Sequence, residues 1–169
     1  MIRSIVYLIE ISVCFLLQSS VFSFFRISGV VPNCLLILVV SVAYTKGQIP
    51  ALFVGFLSGI LLDITISDTV GFCSILYMGI AFLTGYLNKL YAERDFIMPL
   101  AAVAVGELLY SFLFFLFRFF LQGKLELGQY IIYTILPRTL YTLLAALALY
   151  PFFLLLHRLL ERLEGIRHD

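Results

Sequence analysis

Charge is scarce in this chain: Asp, Glu, Lys and Arg make up only 12% of its 169 residues, whereas 63% are hydrophobic. Soluble domains are about half apolar, and a surface in water cannot be covered with so few charges. A soluble domain of any size is therefore excluded. Basic clusters are missing too, which removes nucleic-acid binding. Histidine occurs only as His157 and His168, at the edge and in the tail of the last apolar run, so no Ser-His-Asp or Cys-His arrangement is expected. The cysteines, Cys14, Cys34 and Cys73, stand singly in or beside apolar runs. They make no metal-ligand spacing and read as small buried thiols. A glycine-rich phosphate loop, an internal repeat and low-complexity segments are all absent. No catalytic residue, cofactor or resident metal is expected.

What the chain does have is long apolar runs. They are continuous and do not alternate every second residue, so a membrane β-barrel is not indicated. A spanning helix takes about 20 residues. The runs give six spans: 5–25, 27–44 with Pro32 near its start, 49–66, 70–90, 97–120 and 130–156 with Pro137 and Pro151. The fold class is all-α, a polytopic integral membrane protein of six transmembrane helices forming one domain over 1–169. Residues 157–169 form a short charged tail that could extend the last helix. A five-span arrangement, fusing or lifting out the second and third runs, is the alternative. The first run is too long for a signal-peptide core, contains Glu10 and lacks a cleavage site, so it reads as a retained helix. Arg3, Lys46, Lys89, Arg94, Arg158, Arg162 and Arg167 fall on one side of the six-span arrangement, and Arg26, Arg118 and Lys124 on the other. The richer side, with both termini, is expected to be cytoplasmic.

Four ionisable residues lie within apolar segments: Glu10, Asp63, Glu107 and Arg138. Each costs a few kcal/mol at mid-membrane, so such groups pair or face a cavity. Arg138 sits roughly 12 Å inward from the outer start of its span. That is a depth between Asp63 and Glu107, and its side chain could reach either; Glu10 is the poorest candidate. The cluster reads either as a polar or coupling-ion pathway, or as an ion pair that fixes helix packing with Asp63 and Glu10 hydrated near the interfaces.

Gly55, Gly59 and Asp63 are four apart and share one helix face. Small residues at this spacing let a neighbouring backbone approach closely in lipid, either within the chain or on another membrane protein. Gly71, just past the short turn holding Asp68, could supply an unusual backbone angle or a close approach.

The segment Gly55-Phe-Leu-Ser-Gly59-Ile-Leu-Leu-Asp63, then Gly71 and the apolar Ser74–Leu87, resembles the glycine, glycine, aspartate, glycine signature of MreD, the rod-shape-determining membrane proteins of bacteria. Leu16-Leu-Gln18-Ser-Ser20 is similar to that family's opening helix, and Pro32-Asn33 before Cys34–Val40 to its second. The resemblance implies a non-enzymatic scaffold or regulator of lateral peptidoglycan synthesis in the cytoplasmic membrane. It implies contact with MreC and, indirectly, with MreB, RodA and the elongation transpeptidase. It also implies a fold similar to the substrate-binding subunits of energy-coupling-factor vitamin transporters. A vitamin-binding subunit or a small ion-coupled carrier built on Glu10, Glu107 and Arg138 are the competing functions.

Overall fold

The computed structural model describes residues 2–26, 29–66, 71–90, 96–123 and 127–165. Asp68, Arg94, Lys124, Arg167 and His168 lie outside them. Among the described residues there are six helices and no strand. Helix α1 (Ile2–Leu16) passes through a wide π-helical turn at Leu17–Val21 into Phe22–Phe24. Helices α2 (Cys34–Lys46), α3 (Gln48–Ile66), α4 (Phe72–Leu90) and α5 (Ile97–Gln122) follow. Helix α6 starts at Leu127–Tyr130, widens at Ile131–Ile135 and continues as Leu136–Gly165. The widening has a local cause. Pro137 has no N–H to give the ladder, and Leu136 N–H reaches back five residues to Ile131 instead.

Four stretches are long and apolar enough to cross a membrane: Arg3–Phe24, Gln48–Thr65, Ile97–Leu121 and Gly128–Arg162. Neither α2 nor α4, the helix expected as a span over 70–90, is among them, and for α2 the sequence expectation of a span over 27–44 needs correcting. Helix α2 begins only at Cys34, because Pro32 and Asn33 stop it from extending backwards. Its 13 residues cover about 20 Å, well short of a hydrocarbon core of about 30 Å. Every residue from Cys34 to Ala43 is buried, whichever way it faces. Helix α2 is thus the axis of the bundle, with the other five helices against it. That explains its uniformly apolar sequence, since it has no solvent face and little lipid face.

Helices α2 and α3 are separated by Gly47 alone, at φ +92°, so the second and third runs are distinct helices folded back on each other. Helices α3 and α4 form the most intimate pair in the molecule. The charged stretch from His157 was expected as a tail. Helix α6 runs through it to Gly165, the extension of the last helix that the sequence left open, and His157 is buried within the bundle.

Candidate functional site

Helix α2 starts inside the protein, so its free N–H groups need partners there. The Asn33 side chain caps it by accepting from Leu36 N–H at 3.3 Å. Gln18 Oε1, on the wide turn of α1, accepts from Leu35 N–H at 3.4 Å. Asn33 N–H donates to Thr142 Oγ1 of α6 at 3.2 Å. The rest of the Asn33 side chain is also used: Tyr77 OH donates to its Oδ1 at 2.6 Å, and its Nδ2 donates to Glu107 Oε2 at 3.0 Å. One residue, through its side-chain amide and its backbone N–H, therefore ties α2 to α4, α5 and α6.

Glu107 is fully buried, and its other oxygen meets Arg138 Nε at 2.8 Å. The Arg138 N–H does not point along that line, so the contact is charge against charge rather than an aligned hydrogen bond. Ser111 Oγ donates to the same oxygen at 3.4 Å, and the guanidinium lies 5.2 Å from the Tyr110 ring centre. Arg138 keeps 22% of its side chain accessible. A paired, hydrogen-bonded charge is the tolerable form of a buried one.

Asp63 is 1% exposed and meets no cation among the described residues. It faces the start of α4 instead. Gly71 N–H and Cys73 N–H each donate to it at 2.9 Å, Ser74 N–H at 3.2 Å and Ser74 Oγ at 3.0 Å. A carboxylate from the preceding helix thus caps α4, where the helix dipole favours negative charge. Gly71 sits at φ +103°, a conformation that suits glycine, to aim these amides at Asp63. On the same face of α3, a methyl group on Gly59 would overlap the Ser74 backbone, and one on Gly55 would lie 3.0 Å from the Tyr77 carbonyl. The glycine face of α3 lies directly against α4.

Glu10 joins neither cluster. It is 7% exposed and meets His157, 2% exposed, with Nε2 at 3.3 and 3.4 Å from its two oxygens. The other ring nitrogen, Nδ1, is 3.0 Å from Thr45 Oγ1. The Thr45 hydroxyl already donates to the Ser41 carbonyl at 2.8 Å, so toward His157 it accepts and Nδ1 carries a hydrogen. This cluster links α1, α2 and α6. At its edge Lys46 meets Glu161 at 2.6 Å.

The structure thus separates the four intramembrane ionisable residues. Glu107 takes Arg138, Asp63 takes backbone, and Glu10 takes His157. Sequence reasoning missed Asn33, Tyr77 and Thr142 as network members. Asn33, directly before an apolar run and after Pro32, does carry an N-cap signal.

Polar side chains used to lock apolar helices together define a class: a multi-pass helical membrane protein with a cross-linked interior. The chain belongs to the MreD family, because the model of rod shape-determining protein MreD matches residues 1–160. Its role is accordingly in rod-shape determination, in the setting of peptidoglycan synthesis at the membrane, within a family of shape-determining components rather than known enzymes. Comparison with curated proteins gave no match, and neither did comparison with solved structures.

Proposed function

We propose that this protein is a scaffold of the cell-elongation machinery, acting through helix-face contacts with MreC in the bacterial cytoplasmic membrane. MreB, RodA and the elongation transpeptidase are reached through that contact. All six helices cross the bilayer in this reading, α2 with the help of the extended residues before it, and both termini are cytoplasmic. The observation that carries the reading is the family match over residues 1–160. The interior supports it, because Glu107, Arg138 and Asn33 are engaged with one another. In this reading Gly55, Gly59, Asp63 and Gly71 build an assembly hairpin that holds α3 and α4 in register, and Glu107–Arg138 sets the packing of α5 on α6.

Depleting the protein from a rod-shaped cell should round it, and MreC should co-purify with the chain in detergent. Normal shape with impaired vitamin uptake would overturn the proposal in favour of a vitamin-binding subunit. Reporter fusions at the two ends test the orientation; an external signal from either end rejects it.

A further inference from the structure

Helices α5 and α6 run antiparallel in a steady register. Phe115 meets Tyr130 with ring centres 4.7 Å apart, Glu107 meets Arg138, and Phe96 meets Tyr150 with ring centres 6.0 Å apart. The pairing stops there, because α5 begins at Ile97. Helix α6 goes on from Pro151 to Gly165, about 22 Å further. Its whole course from Leu127 is about 58 Å. A hydrocarbon core of about 30 Å takes up only about 39 Å of helix even at a tilt of about 40°. About 20 Å of α6 therefore leaves the hydrocarbon, and the register with α5 puts that overhang at the Gly165 end. The overhang has two faces. Phe153 and His157 are buried against the bundle. Phe152, Leu155 and Leu159 are exposed and form one stripe at steps of three and four residues. Arg158 and Arg162, also exposed and four apart, flank the stripe. Neither meets an acid among the described residues, and their neighbour Glu161 is taken by Lys46.

We propose that this overhang lies in the membrane interface and docks on anionic phospholipid. Phe152, Leu155 and Leu159 enter the acyl boundary, and Arg158 and Arg162 take the headgroup phosphates. Two observations select this occupant. An apolar stripe flanked by unpaired arginines complements a surface that is apolar below and negative above. The length by which α6 exceeds the hydrocarbon is close to the length of the overhang, so the arginines stand at headgroup depth, where a guanidinium binds phosphate well. The lipid contact rests neither on the function proposed above nor on which side of the membrane is cytoplasmic.

The chain contains no tryptophan, so Leu155→Trp supplies a sole fluorescent reporter on the stripe. The full chain is placed in vesicles of equal phosphatidylcholine and phosphatidylglycerol, with first one lipid and then the other brominated along its acyl chains. Brominated phosphatidylglycerol should quench the reporter about fivefold more strongly, the preference that one basic residue gives near an anionic surface. The preference should vanish when Arg158→Gln and Arg162→Gln are added, and should fall in high salt with both arginines in place. It should persist with the charge-matched Arg26→Gln and Arg118→Gln at the far end. Equal quenching by the two lipids, quenching by neither, or a preference that survives loss of both arginines overturns the proposal. So does quenching that fades as the chain is crowded in the vesicle, which would put a second copy on the stripe.

Discussion

Asp63 and Glu107 are both carboxylates buried among apolar helices, but they are satisfied in opposite ways. The partners of Asp63 lie 8 to 11 residues ahead, on one turn and the helix it opens. Those of Glu107 come from Asn33, 74 residues back, and from Arg138 on the last helix. Asp63 closes a local hairpin and needs no cation, because oriented amides supply the positive end. Glu107 is a cross-brace and takes a true charge, because among the described residues its partners are side chains, Asn33, Ser111 and Arg138, rather than backbone amides. Two acids that look alike in sequence thus do local and global work.

The hairpin breaks most readily at its contact surface. Gly59→Leu should cost about 4 kcal/mol or more, because the side chain would have to displace the Ser74 backbone. Gly79→Leu, where nothing lies within 4 Å, should be tolerated. Size-exclusion profiles and melting in detergent read both; equal behaviour of the two would undo the packing argument. Next in size is the brace. Arg138→Ala should cost about 3–5 kcal/mol by stranding Glu107, and Arg138→Ala with Glu107→Leu should be milder. A double-mutant cycle should show coupling between Arg138 and Glu107 and additivity between Arg138 and Asp63. Coupling to Asp63 would merge the two systems separated here.

Asp63→Asn should cost about 2 kcal/mol, since one acceptor oxygen cannot serve amides on both sides of the carboxylate. Its signature is local: faster hydrogen exchange at Cys73 and Ser74 with no change around Asn33. Spread to Asn33 would mean that the hairpin and the brace are one unit. The smallest effect belongs to the rim pair. Glu161 is largely exposed, so Glu161→Ala should cost under about 1 kcal/mol and less in high salt. A larger loss would extend the buried Glu10–His157 link to the helix end.

The apolar runs and the Gly55–Gly59–Asp63 stripe could be read from the sequence, because each is a matter of composition or spacing within one helix. The start of α2 was placed too early because hydropathy across 27–44 hides the stop that Pro32 and Asn33 impose. The network around Asn33 was not legible, since Tyr77, Glu107 and Thr142 are 44, 74 and 109 residues away. His157 looked like tail because charges follow it, and its partner Glu10 lies 147 residues upstream. Local chemistry shows in a sequence; partners brought together by topology do not.

The encasement of α2 also sets a schedule for synthesis. This 13-residue helix with a polar start leaves the ribosome ahead of α3, α4, α5 and α6. Yet Thr142, Arg138 and His157, which complete the contacts around it, arrive on the last helix. Until then the nascent chain holds two acids, Glu10 and Glu107, and the Asn33 N–H without their mates. The final helix is the keystone, and a chain interrupted before it is marked as unfinished by its own unmet polar groups.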